Sequence, residues 1–183
     1  MRIISGTLGG RRFDPPAKNW PTRPTTDLAK EGLYNVLQHR LDFDEMRMLD
    51  LFGGTGNHCF ECISRGCGSA TYVDQHPPAV RFVRELAERF GVEEAITVVR
   101  SDVFRFLREY RGDAFTYCFA GPPYPLPQLD EVPDAVYEAG VLAPEGLLVL
   151  EHNPNHDFTQ HPHFVELRKY GKTRFSFFQS DGL

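Results

Sequence analysis

Residues 48–65 constrain the chain most. Met48-Leu49-Asp50-Leu51 is a short apolar run carrying an acid, Phe52-Gly53-Gly54-Thr55-Gly56 is a glycine-rich turn, and residues 57–65 have the composition of a helix. A strand, a tight turn and a helix start in this order belong to an α/β layer. The glycines let backbone approach a ligand closely, and the helix N-terminus presents unpaired N–H groups. The same rhythm continues. Strands are predicted over 70–73, 96–99, 115–120 and 147–151, with helices over 77–90, 103–110 and 129–139 between them. Two late strand-like segments, 164–169 and 174–178, form a closing hairpin. Such alternation means a mostly parallel sheet with helices on both faces, and the hairpin adds an antiparallel strand.

The special residues fall at the carboxyl ends of these strands: Asp50, Asp74, Asp102 and Gly121-Pro122-Pro123-Tyr124. In open α/β sheets the ligand crevice lies along that edge. The dinucleotide pattern G-x-G-x-x-G fails here, because Gly54-Thr55-Gly56-Asn57-His58-Cys59 lacks the third small residue. The pattern D-x-F-x-G-x-G, found in S-adenosylmethionine (SAM) methyltransferases, fits and includes Asp50. Asp50 is expected to hold the turn and, through water, a methionine ammonium. Asp74 is placed to accept both hydroxyls of a ribose, with Gln75 beside the same nucleoside. Asp102 either accepts the exocyclic amine of adenine, with Val103 against the ring, or caps the helix that follows; the two roles are compatible. The two prolines after Gly121 fix a rigid turn without N–H donors, and Tyr124 offers a stacking face for a flat base. That set suits methyl transfer to an exocyclic amino group by positioning and electrostatics, with no metal.

The length of 183 residues suits one domain with a short appendage, and 41% hydrophobic residues suffice for a core. Met1 is followed by polar, glycine-rich sequence rather than an apolar leader, so a cytoplasmic protein with no membrane association is expected. Cys59, Cys62 and Cys67 lie near His58, but no second ligand pair follows, and buried thiols are favoured over zinc. His152, His156, His161 and His163 read as a solvated loop between strands rather than a metal site.

Charge is uneven. Residues 1–40 carry +4 and the remainder −9, for a net −5. A basic arm on an acidic body suggests contact with a polyanion. Arg2, Arg11 and Arg12 lie on a predicted N-terminal hairpin over 1–14. Lys18 and Trp20 follow in a Pro-rich loop, where Trp20 either stacks on a base or packs the loop down. Arg23-Pro24-Thr25-Thr26-Asp27 precedes a helix with Thr25 or Thr26 as N-cap and an apolar side of Leu28, Leu33, Val36 and Leu37. Residues 1–40 are thus expected to form a polyanion-contacting arm, hairpin and helix, and 41–183 the SAM-binding α/β domain.

With these motifs in view, the chain resembles the RsmD family, the small-subunit ribosomal RNA (guanine-N2)-methyltransferases, over essentially its whole length. Arg2-Ile3-Ile4-Ser5-Gly6 and Gly10-Arg11-Arg12 resemble the family's opening. Arg23-Pro24-Thr25-Thr26-Asp27 with Leu33-Tyr34-Asn35-Val36-Leu37 resembles its R-P-T-x-D…L-F-N-x-L block. Leu49 to Gly56, with Glu61 and Ser64-Arg65-Gly66, resembles its L-D-L-F-A-G-[ST]-G…E…S-R-G motif, and Tyr170-Gly171 with Thr173 its Y-G-x-T. The resemblance implies a class I methyltransferase fold, Rossmann-like with a mostly parallel seven-stranded sheet. It implies SAM as donor, S-adenosylhomocysteine as product, and a guanine in the RNA of an assembling small subunit as acceptor. Asp50, Phe52, Gly53, Gly54, Thr55 and Gly56 would hold the methionine part, Asp74 and Gln75 the ribose, and Asp102 and Val103 the adenine. Gly121, Pro122, Pro123 and Tyr124 would form the catalytic turn. Arg2, Arg11, Arg12, Lys18, Arg23 and Thr25 would grip RNA, and the protein is expected to act as a monomer.

The chain departs from the family at Gly121, where Asp or Asn is usual. Losing one oriented acceptor would cost roughly 2–4 kcal/mol of transition-state stabilisation. His58 and Phe60 are bulky after the turn and either crowd the methionine pocket or repack the helix. Gly53 in place of Ala is expected to be minor. Gly121 also admits a weakly active or inactive RNA-binding relative acting in ribosome assembly. A protein glutamine N-methyltransferase is a further alternative, disfavoured by the basic arm. A NAD-dependent oxidoreductase is more distant still.

Overall fold

The computed structural model describes residues 1–16, 20 and 23–180. Seven strands form one sheet: β1 Arg47–Leu51, β2 Ser69–Asp74, β3 Ile96–Arg100, β4 Phe115–Ala120, β5 Leu142–His152, β6 Phe164–Tyr170 and β7 Thr173–Gln179, in the spatial order β3-β2-β1-β4-β5-β7-β6. The strands from β1 to β5 pair in parallel; β7 inserts antiparallel between β5 and β6. This is the expected seven-stranded Rossmann-like sheet. The order reverses beside β1, where β4 crosses to its other side and opens a crevice at the carboxyl edge.

Helices α1 Asp27–Leu37, α2 Asn57–Ser64 and α3 Pro77–Phe90 cover one face; α4 Val103–Glu109 and α5 Val132–Glu138 cover the other. Strand alternation supplies both cores: Met48, Tyr72, Phe119 and Val149 face α1–α3, while Leu49, Val73, Ala120 and Leu150 face α4 and α5. Prolines at the first helical positions and left-handed Gly91 at the end delimit α3. Among the described residues, no helix is long and apolar enough to cross a membrane.

Several expectations change in detail. The predicted helix over 129–139 is a 3-10 turn, Leu129–Glu131, followed by α5, because Pro133 fits only the opening of a helix. Thr26, not Thr25, caps α1 through its side-chain oxygen. Leu28 is 72% exposed, and the buried face of α1 is Ala29, Lys30, Leu33, Tyr34 and Leu37. Strand β5 begins five residues early, pairing Leu142 with Phe115 across a bulge where Glu145 takes a positive φ.

The expected N-terminal hairpin forms as a short one: Arg2 lies opposite Arg12, the Ile3 amide donates to the Arg11 carbonyl, the Gly10 amide to the Ile3 carbonyl and the Phe13 amide to the Met1 carbonyl. Its turn is tied to α2: Glu61 accepts the amides of Ile4 and Ser5, and Ser64 those of Thr7 and Leu8. Ile3, Leu8 and Phe13 join the main core on the α2 side. Glu61 is completed by Lys30 at 3.0 Å and Arg65 at 2.9 Å. All four thiols are free and buried. No metal-binding cluster occurs among the described residues. The late histidines are more engaged than a solvated loop implies: His152 bonds Ser176, His156 bonds Asp130 and His161 bonds Asp134.

Candidate active site

A crevice of about 660 Å³ opens at the carboxyl edge of the sheet. It gathers Asp50, Phe52 to Thr55, Asp74, Gln75, Asp102, Val103 and Gly121 to Tyr124, together with Arg23 and Thr25. Gly56, at the end of the same turn, is the left-handed N-cap of α2, and a Cβ there would meet Phe60 at 2.8 Å.

The turn is built from β2 as much as from its own glycines. Asp74 accepts the Gly54 amide at 2.9 Å and the His76 amide at 2.8 Å, so the proposed ribose acid also ties the turn to the neighbouring strand. Tyr72 donates to the Gly54 carbonyl at 2.7 Å. Its ring lies where a Cβ on Gly53 would sit, 2.4 Å away. The expectation that Gly53 is a minor change is therefore corrected: glycine makes room for Tyr72. Phe52 takes φ 57°, a strained value for a large residue, and packs edge-on against Phe104.

Asp50 is 2% exposed, and its Oδ2 has no partner. Burial pushes its carboxyl up to about 7; the Cys59 thiol and amide, which donate to it, oppose the rise, and the nearby Asp74 charge adds to it. A bare carboxylate oxygen of this kind needs a donor or a cation. At the far end of the crevice Asp102 accepts the Arg105 amide at 2.9 Å, capping α4 as anticipated, while Val103 is buried beneath it.

Beside the 121–124 turn, Glu151, next to last in β5, is 6% exposed. Thr25 and Tyr124 donate to its two oxygens, the latter at 3.2 Å. His58 Nε2 lies 2.8 Å from the Thr25 hydroxyl, and its ring stacks on Phe119 with centroids 3.6 Å apart. Burial drives the His58 imidazole well below its usual pKa, so it is neutral. His58 and Phe60 thus part company. His58 lines the crevice, whereas Phe60 turns away to pack on Phe13 and Phe90.

The predicted arm residues divide as well. Arg11 and Arg12 are exposed, and Arg11 lies over the Phe90 ring beside Arg89, which widens the basic surface onto α3. Arg2 faces Asp27 at 3.8 Å. Arg23 is exposed at the crevice rim. Thr25 is buried in the crevice wall instead of presented on the arm's outer surface. Lys18 lies outside the described residues. Trp20 packs edge-on against His76 and Phe82. Sequence reasoning passed over Glu151, although its place at a strand end was the same signal that marked Asp50 and Asp74.

The family described as "Conserved hypothetical protein 95" matches residues 1–179. The Bacillus subtilis protein named "Putative rRNA methyltransferase YlbH" is 34% identical over 155 residues, covering 84% of this chain and 83% of its own. Escherichia coli ribosomal RNA small subunit methyltransferase D is 30% identical over 152 residues, covering 82% and 74%. A hypothetical protein of Thermus thermophilus superposes with a TM-score of 0.86 at 30% identity, covering 98% of this chain and 99% of the other.

The packing around the turn makes a testable statement. Gly53→Ala is expected to destabilise the protein by about 1–3 kcal/mol, the cost of an overpacked site. In a Tyr72→Val background the penalty should fall by more than half, as read from denaturant midpoints in a double-mutant cycle. An equal penalty in both backgrounds would contradict the packing account.

Proposed function

The chain belongs to the RsmD family of rRNA methyltransferases, and on that footing we propose that it transfers a methyl group from SAM to the exocyclic N2 amine of a guanine in small-subunit rRNA. The observation that carries this reading is the convergence of Asp50, Asp74, Asp102 and the Gly121-Pro122-Pro123-Tyr124 turn on one crevice. The residues present fit the donor. The bare Oδ2 of Asp50 is suited to the methionine ammonium, Asp74 keeps lone pairs free for ribose hydroxyls, and Asp102 with Val103 and Phe104 frames an adenine. When bound, SAM supplies an electrophilic methyl on a sulfonium.

The chain's own task is positioning. A guanine amine is a weak nucleophile because its lone pair is delocalised into the ring, so acceptors must orient it in line with the methyl group. The Pro122-Pro123 turn offers carbonyls and no competing N–H donors. Tyr124, tethered through its hydroxyl to Glu151, holds a ring face at the rim for the base. The target base must leave its stack, at a cost of a few kcal/mol by the base-flipping rule, least in an exposed loop. Arg11, Arg12 and Arg23, with Arg2 and Lys18, belong to the basic segment 1–40 proposed to meet the phosphate backbone, while residues from 41 onward carry the donor site. The proposed setting is a cytoplasmic monomer acting on an assembling small subunit. Gly121 favours a second reading, an RNA-binding relative that keeps the donor site and has lost turnover.

The direct test is incubation with labelled SAM and undermethylated small subunits, followed by nucleoside mass spectrometry. Labelled N2-methylguanosine is expected. Donor binding without any methylated nucleoside would favour the second reading, and a different methylated base would refute the guanine assignment.

Asp50 supplies a second test. Its free-state value of about 7 means that a cation at Oδ2 draws the group into its ionised form. Binding of S-adenosylhomocysteine near neutral pH should release a proton, so calorimetric enthalpies should change with the buffer's ionisation enthalpy. Affinity should weaken as pH falls below about 7, by up to about tenfold per unit. Asp50→Asn should abolish the proton release; buffer-independent enthalpies in the wild type would contradict the assignment.

A further inference from the structure

Strands β4 and β5 run side by side with Ala120 opposite Leu150, so the next residues along them are Gly121 and Glu151. Side chains alternate along a strand, and both positions therefore face α2, the side of Phe119 and Val149. The carboxylate absent at position 121 has a neighbour at the same level on the adjoining strand. Both residues line the crevice, as do Tyr124, Thr25 and His58.

The hydrogen bonds fix the state of this carboxylate. The Thr25 hydroxyl has one proton and gives it to Glu151, so His58 must donate from Nε2 to the threonine oxygen. That leaves His58 Nδ1 bare, in agreement with its lack of a partner. Glu151 accepts one bond at each oxygen and keeps a further lone pair on each. Among the described residues it makes no ion pair. Around it, Arg23 is the near cation, Tyr124 and Thr25 are neutral donors, His58 is neutral, and its register partner on β7 is Phe175.

We propose that Glu151 is a catalytic residue, accepting a hydrogen bond from the target guanine amine in place of the side chain that Gly121 lacks, and then taking its proton. The inference rests on the guanine-N2 reading above. In the step, the N2 lone pair forms the new N–C bond. The C–S bond breaks with its electron pair going to sulfur, leaving a neutral thioether. The positive charge now on N2 is discharged as one N–H proton passes to Glu151. Burial favours this role, because it raises the Glu151 carboxyl and makes the ionised form a better base, although Thr25, Tyr124 and Arg23 oppose the rise. The competing role is structural: Glu151 also pins Thr25, and through it the segment leading into α1.

The test compares wild type, Glu151→Gln, Gly121→Asp and the double variant in single-turnover methyl transfer from labelled SAM to undermethylated small subunits across pH. Melting temperature and calorimetric affinity for S-adenosylhomocysteine are measured in parallel. A Cβ at position 121 would lie 3.0 Å from the Phe119 ring, so Gly121→Asp needs only a small shift of that ring. Glu151→Gln is expected to slow transfer roughly 100- to 10,000-fold, the range of a lost general base. It should leave product affinity unchanged and, at SAM concentrations that saturate the donor site at every pH, remove the acid limb at which wild-type activity falls as pH drops. Gly121→Asp should restore transfer in the double variant. In a chain that keeps Glu151, Gly121→Asp should move the acid limb to lower pH, which tests the proposal even where Glu151→Gln does not fold.

Transfer by Glu151→Gln within about threefold of wild type would overturn the proposal and leave the methyltransferase reading standing. So would loss of stability and product affinity with no rescue by Gly121→Asp. A silent wild type made active by Gly121→Asp would overturn it too, while supporting the guanine substrate. Silence in every variant with product still bound would overturn both.

Discussion

The buried ion pair between Lys30 and Glu61, 3.0 Å long and wholly shielded from solvent, anchors one end of everything at the crevice. A buried pair offsets its desolvation only when the remaining polar atoms are also satisfied. Here Glu61 receives the amides of Ile4 and Ser5 and the Arg65 guanidinium, while Lys30 donates to the Arg2 carbonyl and to Asn57. Burial lowers the Lys30 pKa, opposed by Glu61. Asn57 in turn donates to the Thr25 carbonyl at 3.4 Å. The N-terminal segment is thereby fastened to the start of α2, the helix that follows the donor turn. Thr25 then reaches Glu151, and Glu151 reaches Tyr124. One chain of polar contacts links the basic segment, α2 and the 121–124 turn.

That linkage bears on how a single crevice could serve two substrates. The end proposed for the donor is set by strand ends and by the Asp74 and Tyr72 bonds to Gly54. The end proposed for the base is set by side chains from α2, β5 and the segment before α1. RNA meeting the exposed arginines would press on the same segment that carries Thr25, while the donor would contact the turn into α2. Both substrates would bear on elements already packed together, which favours alignment of methyl and amine without a large rearrangement.

Much of this was legible in the sequence because parallel strands deliver their last residues to one edge. Asp50, Asp74, Asp102 and Gly121 all line the crevice as that rule predicts, and Asp50 is marked by the D-x-F-x-G-x-G pattern as well. What was not legible depends on contacts distant in sequence. Thr25 meets His58 and Glu151 across 33 and 126 residues. Gly53 is explained by Tyr72 on the next strand, and Phe60 by Phe13 and Phe90. Leu28 looked like part of an apolar stripe, yet α1 turns it outward because the buried face is centred on Lys30, a residue no hydrophobic pattern would select. The short N-terminal hairpin was legible, but its attachment to α2 was not, because Glu61 and Ser64 accept its turn amides from 56 and 57 residues away.

The measurement that tests the account most directly is a crystal structure of the complex with S-adenosylhomocysteine. The account predicts the amino-acid end of the ligand beside Asp50 and the glycine turn, the ribose hydroxyls on Asp74, the adenine between Asp102 and Phe104, and the sulfur facing the space between Gly121 and Glu151. A ligand bound elsewhere, or bound with its sulfur turned away from that space, would contradict it.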